Sequence, residues 1–292
     1  MRVAVGGSSG LLGTALVQRL RRTGHQVVKL VRGAADSPDE RAWSIEAGRI
    51  DGPGLTDVDA VVNLAGAGIA DARWTSARKD ELRRSRITST LTVVDALEPD
   101  GRCRRFLSGS AIGFYGDAGA AFVTEDSPPG AGFLADLVVD WEDAAAHAPV
   151  PTAFLRTGNV LTKHGGFLGK QRPLFAAGLG GRFGDGRQYL SWIAEADWVS
   201  AVVHLLTSEL AGPVNLVAPY PVTNTEFTAV FAKALHRPAL LPVPLPAVRA
   251  LFGPELVDEA MLGSIRARPT RLLADGFDFA YPQLPQALAA VA

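Results

Sequence analysis

A cluster of glycines interrupts the apolar N-terminus of the chain and constrains its fold more than any other stretch. The β-branched run before the cluster, residues 3–5, predicts a strand, and the apolar spacing in residues 14–20 predicts a helix. Gly7, Gly10 and Gly13 recur at every third position, which suits a turn where the backbone must approach a phosphate closely. The free amides at the start of the helix would hold that anion.

A second strand, residues 24–32, follows at the distance expected of a βαβ unit, so the turn predicts a dinucleotide-binding site. We expect these residues of the turn to contact the dinucleotide: Gly7, Ser8, Ser9, Gly10, Leu11, Leu12 and Gly13. The second strand ends at Arg32. An acidic residue there would bind the ribose hydroxyls and repel a 2′-phosphate, whereas an arginine can pair with that phosphate. Arg32 therefore predicts NADP (NADPH) as the cofactor, unless it is an ordinary surface arginine.

The composition is that of a soluble globular protein, since 47% of the 292 residues are hydrophobic and 20% are charged. No apolar run reaches the roughly 18 to 20 residues of a membrane span, and the short apolar start does not resemble a signal peptide. The single cysteine, Cys103, excludes an internal disulfide and fits a cytoplasmic location. With 29 basic and 30 acidic side chains, the chain has no overall attraction to nucleic acid or anionic lipid, so we expect a small-molecule partner.

Two further buried strands end in small or polar residues, at the sheet edge where α/β proteins hold their ligands. The first ends in Asn63, Leu64, Ala65 and Gly66, which we expect to lie beside the cofactor. The second carries Ser110, whose hydroxyl is placed to bind a carbonyl or hydroxyl of a substrate lying on the nicotinamide. An alternative role for Ser110 is to cap the loop that follows.

Two cationic segments each have two interpretations. Six basic residues from Arg73 to Arg86 lie on a predicted helix, residues 73–97. Because acidic residues interrupt them, we interpret them as a solvated helix face rather than a nucleic-acid surface. Residues 164–187 are rich in glycine and also carry basic side chains. They predict either a mobile loop over the site, whose cations favour an anionic substrate, or a merely solvated loop.

Taken together, these motifs resemble the extended short-chain dehydrogenase/reductase superfamily of epimerases and dehydratases. The resemblance spans nearly the whole chain and rests on Gly7-x-x-Gly10-x-x-Gly13, residues 63–66, Ser108-Gly109-Ser110, Tyr115-Gly116-Asp117, and residues 124–128 and 155–160. It implies an α/β Rossmann fold, a doubly wound parallel sheet, with bound NADP and a cytoplasmic location. It also implies that Arg156 is among the residues that bind the cofactor.

A narrower likeness is to uncharacterised epimerase-family proteins that carry a short extra C-terminal domain. It rests on Ile69-Ala70-Asp71-x-Arg73-Trp74-Thr75, Gly186-Arg187-Gln188-x-x-Ser191-Trp192-Ile193, and residues 213–219 and 221–224. We therefore expect a Rossmann domain in residues 1–160, completed by parts of 187–220. Residues 161–186 and 221–292 would form a smaller substrate domain, with a helical pattern over 254–268. Homodimers are common among relatives, although no stretch of this sequence argues for one.

The catalytic pair of the superfamily is missing from the chain. Its members use a tyrosine, which exchanges a proton with the substrate oxygen, and a lysine four residues later, which lowers the tyrosine pKa. The segment Trp141-Glu142 resembles the residues just after that lysine, so the pair falls at Leu134 and Val138. Neither side chain can carry a proton, and no Tyr-x-x-x-Lys occurs anywhere in the sequence.

Three interpretations of this departure remain open. In the first, an NADP-dependent oxidoreductase or epimerase uses another acid, with Tyr115 as the candidate and Ser110 orienting the substrate oxygen. The second is a hydride transfer that needs little acid catalysis, such as reduction of an activated double bond. In the third, the protein binds NADP for regulation or as a scaffold and catalyses nothing. The five scattered histidines predict no metal site.

Overall fold

The computed structural model of the chain describes residues 1–239 and 241–291. In chain order the strands are β1 Arg2–Gly6, β2 Gln26–Val31, β3 Glu40–Ser44, β4 Arg49–Ile50, β5 Ala60–Asn63, β6 Arg105–Ala111, β7 Phe122–Val123, β8 Thr152–Thr157, β9 Asn159–Leu161, β10 Tyr189–Leu190, β11 Trp192–Ala194, β12 Gly212–Leu216, β13 Val222–Thr223 and β14 Arg266–Ala267. The helices are α1 Leu11–Arg22, α2 Ser76–Asp95, α3 Phe133–Ala146, α4 Gly166–Ala176, α5 Glu195–Leu205, α6 Asn224–Ala234, α7 Leu245–Phe252, α8 Pro254–Leu256, α9 Thr270–Ala274 and α10 Leu284–Val291. A 3₁₀ turn spans Ile112–Tyr115 and a π-helical turn spans Val257–Met261.

Eight strands form one sheet, in the spatial order β12-β8-β6-β5-β1-β2-β3-β4. Every neighbouring pair is parallel except β3 with β4. From β1 the chain first extends the sheet to β2 and β3, and then returns to add β5, β6, β8 and β12 on the other side. The direction reverses beside β1, so the carboxyl ends of β1 and β5 lie at the crevice where open α/β sheets bind ligands. The predicted doubly wound Rossmann sheet is therefore confirmed.

Strand β1 shows how the sheet is buried on both faces. Val3 and Val5 belong to the core formed with α1 and α5, whereas Ala4 between them belongs to the core on the opposite face. All three side chains are fully buried. Leu16 of α1 and Trp198 of α5 complete the first core. A strand covered on both faces reads as a continuous apolar run, which is the pattern seen before the glycines.

A separate core lies outside the large sheet. Phe227 and Phe231 of α6 pack with Phe175 of α4 and with Trp192, and Leu288 of α10 closes the cluster. The short pairs β9 with β11 and β10 with β13 flank this core, while β14 pairs with β7. The C-terminal segment is therefore joined to the first half of the chain by strand pairing as well as by packing.

Two expectations about local structure are wrong. Residues 164–187, predicted as a loop, contain helix α4, because Leu168 and Phe175 lie two turns apart on one face and are both buried. The helical pattern over 254–268 ends at Met261, since Arg266–Ala267 pair with β7 as a strand. Helix α3, by contrast, spans all of residues 133–146, whose apolar spacing predicts a helix. Among the described helices, none combines the length and apolar character needed to cross a membrane.

Candidate functional site

The turn between β1 and α1 leaves no room for a side chain at two of its glycines. A Cβ atom on Gly13 would overlap the carbonyl oxygen of Gly7 and lie 2.9 Å from the Cα atom of Ser8. A Cβ atom on Gly7 would lie 2.7 Å from the carbonyl carbon of Leu64. Gly7 also has a φ of +72°, a conformation that L-residues rarely adopt. Backbone packs directly against backbone here, which brings the turn, α1 and the end of β5 together.

Helix α1 begins without a side-chain cap. Its N-cap is Gly10, and the first turn contains no acidic residue. The amides of Leu11 and Leu12 have no partner within the helix, because the first amides of any α-helix lack one. With the positive end of the helix dipole beside them, these amides form a site suited to an anion such as a pyrophosphate.

Asn63, the last residue of β5, organises the loop beside the glycine turn. Its fully buried side chain accepts a hydrogen bond from the amide of Ala65 at 3.1 Å and donates one to the hydroxyl of Ser89 at 3.4 Å. The amide of Leu64 donates to the carbonyl oxygen of Gly6 at 2.9 Å. Leu64 and Ala65 are thereby fixed against the glycine turn, and the contact of residues 63–66 with the cofactor stays a prediction.

Arg86 corrects the interpretation of the basic helix. Its side chain is only 9% exposed, so it does not belong to a solvated face. The guanidinium donates to the carbonyl oxygen of Ala67 at 2.9 Å and packs against Gly66, where a Cβ atom would lie 3.2 Å from the arginine Cγ. Burial, with a smaller effect of the nearby Arg78 charge, lowers the pKa of Arg86 to about 10. Arg86 therefore supports the loop beside the cofactor crevice, a role that its position in a run of basic residues concealed.

Arg32 follows the carboxyl end of β2 and is exposed. It lines a pocket of about 460 Å³ together with Trp43, Ser44 and Arg49. Glu46 and Asp51 line the same space, and Arg49 pairs with Asp51 at 3.2 Å. Arg32 forms no ion pair among the described residues, so it is the group of this pocket that is suited to a phosphate.

Ser110 and Tyr115 belong to one buried hydrogen-bond network. The Ser110 hydroxyl donates to Glu142 Oε1 at 2.5 Å, and Arg156 donates to both carboxylate oxygens of Glu142, at 2.8 and 2.7 Å. Arg156 Nη1 also donates to the Tyr115 hydroxyl at 3.0 Å, and that hydroxyl donates to Asn215 Oδ1 at 2.7 Å. Each of these side chains is at least nine-tenths buried. The network joins β6, α3, β8 and β12 at the carboxyl edge of the sheet.

The network uses the polar atoms on which the predicted roles depend. The only proton of the Tyr115 hydroxyl is donated to Asn215, and burial is the main reason that the pKa of Tyr115 is raised above 10.0. Arg156 is 3% exposed and paired with Glu142. A catalytic role for Tyr115 therefore requires its hydroxyl to break the hydrogen bond to Asn215. A cofactor contact by Arg156 requires its guanidinium to bind the cofactor in addition to Glu142. Both roles stay predictions.

The positions predicted for the missing catalytic pair carry apolar side chains, Leu134 and Val138. The backbone at the start of α3 is held there by hydrogen bonds to Glu259. Val138 is 3% exposed within α3, and the amides of Phe133 and Leu134 donate to the Glu259 carboxylate at 3.0 and 2.8 Å. Gly132 makes room for this carboxylate, because a Cβ atom there would lie 3.0 Å from it. No sequence pattern links residues this far apart, so Glu259 was not identified in advance.

Lys170 of α4 reaches across to the loop that follows β5. Its Nζ atom donates to the carbonyl oxygen of Ala70 at 2.6 Å and pairs with Asp71 at 3.0 Å. This cation of the 164–187 segment is thus already partnered by an acid. Within residues 1–239 and 241–291, no cluster of three or more histidine, cysteine or acidic side chains could hold a metal ion.

Comparison with known proteins identifies the family. Residues 3–217 match the model of the NAD dependent epimerase/dehydratase family. The chain belongs to the NAD-dependent epimerase/dehydratase family. The resemblance drawn from the motifs is thus confirmed, and residues 243–291 match a further model described as a domain of unknown function, DUF1731.

Individual relatives cover nearly the whole chain. An epimerase family protein of Mycobacterium bovis is 46% identical over 290 residues, which span 98% of this chain and 96% of that protein. The crystal structure of human epimerase family protein SDR39U1 with NADPH has a TM-score of 0.92 at 34% identity, covering 100% of this chain and 99% of that one. MoeE5 in complex with UDP-glucuronic acid and NAD has a TM-score of 0.77 at 19% identity, covering 100% and 97%, and shares the fold.

Proposed function

We propose that this protein binds NADPH and uses it in an oxidoreductase or epimerase reaction on a small carbonyl or hydroxyl substrate. The direct backbone packing of the glycine turn supports this proposal, because a Cβ atom at Gly7 or Gly13 would collide with the backbone of Leu64 or Gly7 and displace the turn from the helix amides expected to bind the pyrophosphate. The NADPH in the 34% identical human structure supports the choice of cofactor. When bound, NADPH supplies a hydride to the substrate carbon.

The residues expected to hold the cofactor fall into three groups. The amides of residues 7–13 would bind the pyrophosphate, as the uncapped start of α1 suggests. Arg32 would bind the 2′-phosphate, with Arg49 in the same pocket. Residues 63–66 would lie toward the nicotinamide, since they end β5, the strand next to β1. Arg156 lies in β8, two strands beyond β5, so its contact with the cofactor rests on the resemblance alone. Arg32 would thus select NADPH over NADH.

Ser110 and Tyr115 are the proposed groups for binding and protonating the substrate oxygen. Ser110 would orient a substrate hydroxyl by accepting a hydrogen bond from it, since its own proton is donated to Glu142; binding a carbonyl oxygen would require that proton to leave Glu142. Tyr115 would give a proton to the substrate oxygen, with the adjacent Arg156 stabilising the phenolate left behind. The buried ion pair of Glu142 with Arg156 would fix the positions of both hydroxyls, because Glu142 is hydrogen-bonded to Ser110 and Arg156 to Tyr115.

We also propose that the chain divides into a nucleotide domain and a smaller substrate domain. Residues 1–160 with parts of 187–220 form the first, and 161–186 with 221–292 form the second. The separate core around Phe227 and Phe231 supports this division, because it is built by α4, α6 and α10 apart from the sheet. The substrate, a homodimer and a cytoplasmic location stay predictions.

The cofactor proposal is tested by calorimetry with the full chain and the variant Arg32→Asp. We expect the parent to prefer NADPH over NADH by about tenfold to a hundredfold, which is the range for a charge-assisted hydrogen bond. The variant should lose or reverse that preference. Arg104→Asp is the matched control, because Arg104 is also exposed but lies before β6, away from the pocket. Absence of heat with either reduced cofactor would overturn the proposal.

The catalytic proposal is tested by NADPH oxidation with sugar nucleotides, quinones and enones. Turnover by the parent that falls in Ser110→Ala and Tyr115→Phe supports the assigned roles. Tight NADPH binding without turnover across the panel would instead favour the regulatory or scaffold interpretation.

A further inference from the structure

A second pocket lies away from the residues assigned to NADPH. Its volume is about 310 Å³, and it is enclosed by α1, the loop after β9, the start of α5 and helix α10. Both matched segments of the chain contribute to its walls. Tyr281 and Ala287 belong to residues 243–291, whereas the lining residues of α1 and α5 belong to residues 3–217. Junctions of this kind are common places for small-molecule sites.

The pocket gathers positive charge. Four basic side chains line it, Arg19 and Arg22 from α1 and Lys163 and His164 from the loop after β9, against one acidic side chain, Glu195. The chain as a whole has a net charge of −1 with histidine neutral. The basic character of the pocket is therefore a local arrangement and not a reflection of composition.

These basic groups lack acidic partners within the described part of the chain. None of the four takes part in an ion pair there, whereas most other buried or half-buried arginines do. The Nε atom of Arg19 is shielded from solvent and has no hydrogen-bond partner among residues 1–239 and 241–291. An anion in the pocket would therefore bind the terminal nitrogens of the Arg19 guanidinium, which form no hydrogen bond with the described residues.

The dipole of α1 does not explain the arrangement. Basic residues in the last turn of a helix are favoured by its negative end, which accounts for part of the cluster. Lys163 and His164, however, come from a different element and converge on the same space. Arg21, in the same turn of α1, pairs with Asp39 and does not line this pocket. The pocket, and not the helix end, is what the unpaired cations share.

The remaining lining also offers contacts for the organic part of an anionic molecule. Ala194 and Val199 present apolar surface, while Ser200 and Tyr281 lie alongside with side chains able to hydrogen-bond. We propose that this pocket binds a small organic polyanion, namely a metabolite with two or more phosphate or carboxylate groups. The site is distinct from the dinucleotide crevice, and the proposal does not depend on NADPH binding there.

The test is calorimetric titration of the full chain, saturated with NADPH, with inorganic pyrophosphate, and separately with citrate. The variant Arg19→Gln/Lys163→Gln removes two of the converging charges. The matched control is Arg84→Gln, which removes an exposed charge on α2 without touching the pocket. Because parent and variant share the same glycine turn, any pyrophosphate held there contributes equally to both.

We expect saturable binding of pyrophosphate to the parent and a loss of at least about tenfold in affinity in the double variant, since each removed contact is charge-assisted. The control should stay within about twofold. Binding of citrate with the same loss would place a polycarboxylate in the pocket and sustain the proposal. Should the double variant melt early, Arg22→Gln/His164→Gln serves in its place, as both side chains are exposed. No saturable binding of either anion, or equal affinity in parent and variants, would overturn the proposal.

Discussion

Replacing Gly13 by alanine tests whether the backbone packing of the first turn is what forms the cofactor site. The added Cβ atom would overlap the carbonyl oxygen of Gly7 and lie 2.9 Å from both the Gly7 carbonyl carbon and the Ser8 Cα atom. All of these are backbone atoms, so no side chain can rotate away. The contact with the Gly7 carbonyl oxygen is the shortest, and restoring it to 3.4 Å requires the start of α1 and the turn to separate by more than about 1 Å.

The size of the effect follows from this displacement. Overpacking of this kind costs about 1–3 kcal/mol in the free energy of unfolding, which lowers the Tm by roughly 2–4 °C per kcal/mol in a chain of this size. A shift of the amides that face the pyrophosphate costs more in binding, because a misplacement of about 1 Å can weaken a positioned interaction about a hundredfold. We therefore expect Gly13→Ala to fold, to melt several degrees lower and to lose NADPH affinity by at least about tenfold.

Thermal melting and calorimetry with NADPH provide the measurements, with Gly169→Ala as the matched control. Gly169 lies inside α4, and no atom lies within 4 Å of the position that its Cβ would occupy. That variant should be neutral or more stable by about 0.5–1 kcal/mol, the difference in helix propensity, and should bind NADPH normally. Parental affinity and an unchanged Tm in Gly13→Ala would refute the reasoning.

Three further predictions concern the buried network and a paired carboxylate. Removing one partner of the buried Glu142–Arg156 pair, as in Glu142→Gln, should cost about 3–5 kcal/mol in chemical denaturation, whereas an unchanged midpoint would show the pair to be unimportant. Because burial raises the pKa of Tyr115, its contribution to stability is complete below pH 10 and is lost as the pH rises through the folded-state value. Tyr115→Phe should flatten the alkaline decline in Tm, and an identical decline would contradict this. A hydrogen bond from Arg102 and one from the Arg2 amide lower the pKa of Asp59, so its contribution is present above the ordinary value of 3.8 and is lost as the pH falls through the lower one. Asp59→Asn should melt with less dependence on pH between 2 and 4, and a parental acid slope would count against it.

Patterns that are local in sequence predicted the fold, the glycine turn of residues 7–13 and the end of strand β5. The glycines at positions 7–13 report a steric requirement that is met within one turn, and Asn63 marks the end of a strand whose apolar run already implies burial on both faces. Helix α3 was located because its apolar spacing is unbroken over the whole element. In each case a short stretch contains the physical cause of its own conformation.

The buried network could not be read in the same way. The Tyr115 hydroxyl and its acceptor Asn215 are 100 residues apart, and Ser110 is 32 residues from Glu142. Nothing in the residues around either end indicates its partner, because the sheet order brings the strands together. Helix α4 was missed for a related reason, since its glycines argue locally for a loop and only the buried Phe175 gives it a reason to be helical.

The network also bears on which reaction the site can support. The sequence contains no Tyr-x-x-x-Lys, and the positions predicted for that pair hold Leu134 and Val138. The remaining hydroxyl candidate, Tyr115, donates its proton to Asn215 in the structure. Transfer of that proton to a substrate would leave a phenolate in a place where burial disfavours charge, and only the adjacent Arg156 offsets this. Hydride addition to an enone gives an enolate whose charge is shared between oxygen and carbon, and solvent can protonate that enolate on carbon. If Tyr115 keeps its proton, we therefore expect enones in the substrate panel to oxidise NADPH faster than substrates whose oxygen must receive a proton from a general acid.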